Sequence, residues 1–184
     1  MKIDITLKIT NEILESQKKI VDDSLRGHIG THFDVMDKEF PLDYTLRKGI
    51  VFDVSGVKDR DIDISDIDLD KIESDTFVAF YTGYCDAVPY GKGDYFKKHP
   101  QLSFELIDAL LDMGVSIIGV DFAGVRRGKE HTPTDQKCAD KNVFVVENLR
   151  NLDMLLKYES ITIHTYPMSV ENISGLPCRV VAEI

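Results

Sequence analysis

"GHIGTHFD", residues 27–34, contains two of the five histidines of the chain and one aspartate. In an extended strand, successive side chains point to opposite faces. One face then carries His28, Gly30, His32 and Asp34, and the other carries Ile29, Thr31, Phe33 and Val35. The alternation predicts a strand with metal-ligand side chains on one face and apolar or β-branched side chains on the other.

The spacing of the two histidines requires an irregularity in that strand. At about 3.3 Å per residue, a regular strand separates His28 from His32 by roughly 13 Å, too far to share one ion comfortably. We therefore predict a kink or bulge at Gly30, because glycine tolerates the backbone angles needed. A helix would bring the histidines together but would turn Asp34 to another face. Nitrogen and oxygen ligands favour Zn²⁺, Mn²⁺ or another first-row divalent ion. Surface histidines on an exposed strand are the alternative.

Composition limits the classes of partner. The 184 residues include 22 basic and 32 acidic side chains, for a formal net charge of −10. Excess negative charge repels nucleic-acid backbones and anionic membrane surfaces, so neither is expected as a partner. Three widely spaced cysteines and the lack of an apolar leader predict a cytoplasmic protein. The length, without repeats or long linkers, predicts a single domain over residues 1–184.

Short apolar runs alternate with helical patterns, which predicts an α/β domain with helices packed against a mixed sheet. The runs lie near residues 3–9, 50–54, 76–81, 116–120, 143–146, 161–165 and 179–182. The clearest helix is HPQLSFELIDALLDMG, residues 99–114, where Ser103 can cap the start and Gly114 can end it. A second helix is predicted over NLRNLDMLLKY, residues 148–158.

The motif His28-x-Gly30-Thr31-His32-x-Asp34 resembles the signature of the cyclase-like metal hydrolases, the family of bacterial kynurenine formamidase (arylformamidase) and isatin hydrolase. The likeness extends to DTFVAFYTGY, to the helix and strand of residues 92–122, to VFVVENLRNL and to the closing GLPCRVVAEI. The resemblance implies a swivelling β/β/α fold, a homodimer or higher homo-oligomer, and one or two divalent ions per chain. It also implies hydrolysis of a small amide, ester or cyclic amide through a water molecule that the metal activates.

One departure from the family pattern follows the signature. In the family, a histidine in an Asp-x-Pro-x-His pattern serves as general base. Here the corresponding positions hold Asp34, Met36 and Lys38. Lys38 could act as a base only if its pKa fell well below the ordinary value of about 10.4. Protonated, it could replace the second cation or stabilise an oxyanion.

A second departure concerns the second metal position. In the family, a histidine about twelve residues before the glutamate of Glu-Asn-Leu helps that glutamate to hold the second ion. Counting back from Glu147 gives Asp135, while His131 lies four residues earlier. Asp135 aligns without a gap, but a helix beginning near His131 would place both residues on one face. The predicted metal ligands are therefore His28, His32, Asp34, Asp135 and Glu147, with Lys38 and His131 as the candidates for catalysis.

Three interpretations of function remain open. The protein is a one-metal hydrolase using Lys38 or His131 for proton transfer, a two-metal hydrolase with altered ligands, or a noncatalytic metal- or metabolite-binding protein on the same scaffold. An open coordination position facing an enclosed pocket favours hydrolysis of a small-molecule substrate, and a closed shell favours binding alone.

Overall fold

The computed structural model describes residues 1–17 and 27–184. Within these residues, eight strands form one mixed sheet: β1 Lys2–Asp4, β2 His32–Asp34, β3 Leu46–Asp53, β4 Phe77–Tyr81, β5 Ile117–Val120, β6 Phe144–Glu147, β7 Ile161–Pro167 and β8 Gly175–Glu183. Their order is β1-β8-β2-β6-β5-β4-β3-β7, and β7 also pairs with β8. The sheet therefore closes on itself like a barrel, with β1 added outside the ring.

Five α-helices lie in the same residues: α1 Asn11–Gln17, α2 Tyr84–Ala87, α3 Tyr95–Lys98, α4 Phe104–Asp112 and α5 His131–Asp140. Shorter 3₁₀ turns are Leu42–Thr45, Ile64–Asp66, Leu69–Lys71, Gly128–Glu130 and Leu152–Leu155. None of the helices in the described part of the chain has the length and hydrophobicity of a membrane span.

Strand direction brings the future site to one edge of the sheet. Strands β3 to β6 run parallel, so their carboxyl ends lie together. Strand β2 runs antiparallel between β6 and β8, with His32 opposite Glu147 and Asp34 opposite Val145. Residues directly opposite in a ladder project from the same face. The register therefore places the end of β6 beside the signature histidines.

The sheet separates two apolar cores, as the two-residue period of strands requires. One core includes Phe33, Phe77, Ile117, Phe144 and Val180. The other includes Val78, Phe80, Ile118 and Val120, packed with Leu106 and Leu110 of α4. Strands β4 and β5 are buried on both faces, which is typical of parallel strands and explains their near-continuous apolar runs.

The predicted α/β class is confirmed, and the helix predicted at residues 99–114 is observed as α4. The Ser103 hydroxyl accepts a hydrogen bond from the Leu106 N–H at 3.1 Å, as a helix cap does. Gly114 follows the helix with φ +69, a left-handed angle that suits glycine. The predicted N-terminal strand is shorter than expected, because β1 ends at Asp4.

The helix predicted over residues 148–158 is wrong in type and extent. Only Leu152–Leu155 form a helical turn, and it is a 3₁₀ turn. Asn148 and Asn151 have φ of +58° and +55°, and left-handed residues interrupt a right-handed helix. Leu149, Leu152 and Leu155 are nevertheless buried. The leucine pattern therefore indicated burial rather than helix.

Candidate metal centre

A turn before β2 brings the signature histidines together. Gly30 has φ +67, and only His32–Asp34 continue as a strand. The predicted kink at Gly30 is confirmed, although the regular strand is shorter than the sequence pattern indicated. As a result, His28 Nδ1 lies 3.1 Å from His32 Nε2, instead of the roughly 13 Å of an unbroken strand.

The signature supplies the first half of a side-chain cluster. His28 Nδ1 lies 2.8 Å from Asp34 Oδ1, and His32 Nε2 lies 3.5 Å from the same oxygen. One ligand atom of each residue falls within 4.8 Å of the others. Ligand atoms of a tetrahedral zinc site with bonds of about 2.1 Å lie roughly 3.4 Å apart. The three side chains are therefore close enough to share one small cation.

Helix α5 and strand β6 supply the second half. His131 Nε2 lies 3.2 Å from Asp135 Oδ2 and 3.3 Å from Glu147 Oε1. Asp34, His131 and Asp135 also have ligand atoms within 4.8 Å of one another. Because Asp34 belongs to both groups, the halves form one continuous acidic cluster, consisting of His28, His32, Asp34, His131, Asp135 and Glu147.

Asp135 and His131, the two alternatives for the second metal position, both lie in the acidic cluster. Helix α5 begins at His131, and residues i and i+4 of a helix lie on one face. His131 and Asp135 therefore both reach the acidic cluster. Glu147 arrives from β6, where it pairs with His32, and its Oε2 lies 3.7 Å from His32 Nε2. The structure thus gathers all five predicted ligands, and their metal binding stays a prediction.

The acidic cluster contains three buried carboxylates with oxygens that are not satisfied by hydrogen bonds. Asp34, Asp135 and Glu147 are at most 3 % exposed. Both oxygens of Asp34 and Asp135, and Oε1 of Glu147, have no hydrogen-bond partner among the described residues. A buried charge is strongly unfavourable unless it is paired or coordinates a metal. The orphaned oxygens and the neighbouring imidazoles therefore fit a divalent cation.

The pKa values reflect the same crowding. Burial and the charge of Asp34 raise the pKa values of Asp135 and Glu147 well above the ordinary range. Burial also opposes ionisation of Asp34, but the His28 and His32 imidazoles outweigh it and lower the pKa of that carboxyl. Protons on Asp135 and Glu147 would have to leave when a cation binds. A cation that bound here would therefore release protons.

His131 lies on the solvent side of the acidic cluster. Its side chain is 31 % exposed, more than that of any other member. Burial nevertheless lowers its pKa, and this outweighs the opposing charge of Asp34. The imidazole is therefore neutral near pH 7 and has a free lone pair. His131 can bind a cation or accept a proton.

Two ion pairs hold the Lys38 side chain. Its ammonium lies 2.9 Å from an Asp140 carboxylate oxygen and 3.2 Å from one of Asp37, and the side chain is 34 % exposed. Hydrogen bonds to Asp140 and Asp37 raise the pKa of Lys38. The predicted proton-transfer role needs a lowered pKa, so these ion pairs do not favour it, and the role of Lys38 stays a prediction. A lysine that replaced the second cation would pair with Asp34 or Glu147, but the ion pairs of Lys38 are with Asp37 and Asp140.

The sequence did not reveal the residues that contact the ring nitrogens of His28 and His32 on the side away from Asp34. Ser174 Oγ lies 2.9 Å from His28 Nε2, and the Gly30 carbonyl oxygen lies 2.9 Å from His32 Nδ1. No local signal could identify Ser174, because it is 146 residues from His28. Asn148 donates to the same Gly30 carbonyl. Its position directly after Glu147 was the available signal.

A cleft of about 1020 Å³ comes near the acidic cluster at Ser174, although no residue of the cluster lines it. Its walls come mainly from residues 35–40 and 166–174. Ser174 lines the cleft and also contacts His28, so the cleft and the acidic cluster adjoin there. The volume matches that of small-molecule sites.

The chain resembles known proteins in sequence and in structure. The sequence model of the family described as "Putative cyclase" matches residues 3–126. A search of curated proteins found no match.

Several solved structures share the fold along almost the whole chain. A "predicted metal-dependent hydrolase" from Bacillus stearothermophilus is 21% identical, with a TM-score of 0.76 over 99% of this chain and 97% of its own. A potential metal-dependent hydrolase with cyclase activity is also 21% identical, with a TM-score of 0.75 over 99% and 96%. Isatin hydrolase A from Ralstonia solanacearum is 18% identical, with a TM-score of 0.74 over 99% and 91%. At this identity the likeness shows a common fold, and the predicted fold is confirmed.

Proposed function

The chain belongs to the cyclase family, and from this membership together with the acidic cluster we propose that it is a metal-dependent hydrolase. Its substrate would be a small amide, ester or cyclic amide, as in the arylformamidases and isatin hydrolases that the sequence resembles. The cleft beside His28 offers space for such a molecule. Zn²⁺ or Mn²⁺ is the proposed ion, because all the candidate ligands are imidazole nitrogens and carboxylate oxygens.

The observation that carries the proposal is the set of five buried carboxylate oxygens without hydrogen-bond partners in the described part of the chain. Structural carboxylates in a protein interior normally accept hydrogen bonds or pair with cationic side chains. Asp135 and Glu147 have instead the imidazoles of His32 and His131, the Asp34 carboxylate and one another as polar neighbours. A divalent cation would satisfy these oxygens together.

Each half of the acidic cluster could hold one ion. His28, His32 and Asp34 would hold the first, and His131, Asp135 and Glu147 would hold the second if two are present. A divalent ion bound in either place supplies a more acidic water molecule and polarises a carbonyl oxygen.

Two residues of this chain have properties that suit further steps. With a single ion, His131 would be free to accept a proton at Nε2 and pass it to the leaving group, because its imidazole is neutral and reaches solvent. Ser174 would hold the His28 ring through Nε2, which leaves Nδ1 facing Asp34.

Elemental analysis of protein purified without chelators tests the proposal first, with His32→Ala as the paired variant. One to two divalent ions per chain are expected in the parent and few in the variant. The metal-loaded parent is then assayed on N-formyl anilines, aryl esters and lactams. No bound ion after metal is supplied, or no turnover of any of these substrates by loaded protein, contradicts the proposal.

The competing function is noncatalytic metal or metabolite binding on the same scaffold. The observation that favours it is Lys38, which stands where the family has its base and is held by Asp37 and Asp140. If the protein binds metal but hydrolyses none of the substrates, noncatalytic binding is the function. Turnover that is lost in His131→Gln while metal binding persists would select the one-metal hydrolase.

A further inference from the structure

A chain of buried hydrogen bonds lies behind His32, on the side away from the carboxylates. The Gly30 carbonyl oxygen lies 2.9 Å from His32 Nδ1 and 2.9 Å from Asn148 Nδ2. Asn148 Oδ1 accepts a hydrogen bond from Tyr95 Oη at 2.6 Å, and Tyr95 Oη lies 3.0 Å from Cys85 Sγ. These side chains are almost fully buried. Solvent therefore does not compete for these bonds.

The chemistry of each group fixes the direction of every bond. Burial raises the pKa of Cys85, so the thiol keeps its hydrogen and can donate it to Tyr95 Oη. The Tyr95 hydroxyl then donates to Asn148 Oδ1, and this turns the amide so that Nδ2 faces Gly30. The Gly30 carbonyl can only accept, so His32 must carry a proton on Nδ1. His32 Nε2 is then the nitrogen that faces Asp34 and Glu147.

The backbone around Gly30 is fixed as well. The Gly30 N–H donates to Tyr90 Oη at 2.9 Å, and the Thr31 hydroxyl donates to the Asn148 carbonyl at 2.8 Å. Asn148 itself has φ +58 and directly follows Glu147. One residue thus joins the turn that precedes His32 to the end of the strand that carries Glu147.

We propose that Asn148 is a positioning residue for the metal centre. Its amide, oriented by Tyr95, holds the Gly30 carbonyl and thereby fixes the ring orientation and the Nδ1–H tautomer of His32. This proposal rests on the proposed metal function, and it concerns the residues that orient His32, one of the predicted metal ligands. Groups that bind the second ring nitrogen of a metal-binding histidine commonly fix its tautomer in this way. Their loss lowers metal affinity about 10- to 100-fold.

Three variants test this assignment. Asn148→Gly removes the amide and keeps a residue that tolerates positive φ. Tyr95→Phe removes only the hydroxyl that orients the amide. Tyr84→Phe is the control, because its hydroxyl lies in the same aromatic group but donates to the Tyr95 backbone carbonyl.

Zn²⁺ affinity is measured for each variant by competition with a chelator, alongside the Co²⁺ absorption spectrum and the thermal midpoint of the metal-free protein. Asn148→Gly is expected to lose about 10- to 100-fold in affinity and to change the Co²⁺ spectrum. Tyr95→Phe should change in the same direction by less, and Tyr84→Phe should stay within twofold. A lower thermal midpoint with unchanged affinity and spectrum in Asn148→Gly would show a purely structural role and overturn the assignment.

A metal-free measurement separates this inference from the proposed function. The ¹⁵N chemical shifts of the His32 ring report which nitrogen carries the proton, without any metal or substrate. Metal-free parent protein should show Nδ1 protonated, and Asn148→Gly should show a mixture of tautomers. The parent pattern retained in Asn148→Gly would overturn the inference. If the parent binds no Zn²⁺ but Asn148→Gly still changes the His32 tautomer, the metal function alone is refuted.

Discussion

At the scale of single residues, the acidic cluster combines groups that oppose one another in the absence of a cation. Asp135 and Glu147 are buried near Asp34, and all three have carboxylate oxygens that lack donors in the described structure. Buried polar groups without partners destabilise a fold by about 1–3 kcal/mol each, and charged groups by more. Metal affinity and metal-free stability should therefore respond in opposite directions when one carboxylate is made neutral.

The Asp135→Asn variant tests this opposition. Metal-free variant should be more stable than metal-free parent at pH 8 by on the order of 1–3 kcal/mol, because a buried carboxylate has been removed. Its Zn²⁺ affinity should fall at least tenfold, because a predicted ligand has lost its charge. Urea unfolding in EDTA and chelator competition measure the two effects.

Asp140→Asn is the matched control, because Asp140 lies on the same helix but its side chain is 55 % exposed. It should change neither quantity by much, since surface substitutions usually stay within about 0.5 kcal/mol. Loss of stability in metal-free Asp135→Asn would mean that this carboxylate has a structural role instead.

At the scale of elements, the start of α5 decides where His131 and Asp135 point. Gly124 has φ +106, and a Cβ atom there would lie 2.4 Å from His131 Cε1 and 2.5 Å from His131 Nδ1. Atoms cannot remain that close, so any side chain at residue 124 would displace the imidazole. The loop before α5 thus places the ring as much as the helix does.

Gly124→Ala should therefore lower Zn²⁺ affinity about tenfold or more and should also reduce stability by roughly 1–2 kcal/mol through backbone strain. Gly128→Ala separates the two causes. Gly128 has φ +59, but a Cβ atom added there would have no neighbouring atom within 4 Å, so that variant has strain without the clash. Calorimetric titration with Zn²⁺ measures the affinity of each variant, and urea unfolding measures its stability. Equal affinities in the two variants would show that His131 contributes little to binding.

At the scale of the whole molecule, closure of the sheet creates the candidate site from distant parts of the chain. The last three residues of the signature, His32–Asp34, form β2, which is inserted antiparallel between β6 and β8. Glu147 comes from β6, and Ser174 directly precedes β8. Folding therefore brings these ionisable groups together, and the stability of the fold depends on their protonation.

The pH dependence of stability follows from the raised pKa values of Asp135 and Glu147. The folded metal-free protein holds protons on these groups at pH values where the unfolded chain has lost them. Its stability should therefore fall as pH rises from about 4 towards neutrality. The raised pKa of Asp121, about 6, adds to this fall. The lowered pKa values of His99 and His131 oppose it within the same range, and that of Asp34 opposes it only below the range.

Added Zn²⁺ should reverse the trend, because the cation competes with these protons and binds more tightly as pH rises. Unfolding in urea between pH 5 and 8, with EDTA or with excess Zn²⁺, measures both slopes. Identical slopes in the two conditions would contradict the linkage.

A homodimer is a further expectation at this scale, implied by the family resemblance. Large apolar side chains at the rim of the cleft are exposed: Leu42 by 81 %, Tyr166 by 63 % and Met168 by 57 %. Exposed apolar groups of this kind suit a protein interface. Sedimentation should give twice the mass of the chain, and Tyr166→Lys with Met168→Lys should give the monomer. A monomeric parent would contradict this expectation.

Features that depend on neighbouring residues could be predicted from the amino-acid order alone. Alternating and continuous apolar runs predicted most of the strands, Ser103 and Gly114 predicted the limits of α4, and Gly30 predicted the kink. The composition of the signature already indicated a cation and the family. Each of these features depends on local backbone geometry, which residue type and spacing control directly.

Features that depend on residues far apart in the chain became visible only in the folded molecule. Pairing of β2 with β6 set Glu147 beside His32, and the start of α5 brought both His131 and Asp135 to Asp34. Lys38 lies next to the signature in sequence, yet Asp140, about one hundred residues later, pairs with its ammonium group and raises its pKa. Sheet closure and the choice of strand partners depend on packing between segments far apart in the chain, which the pattern of one segment does not specify.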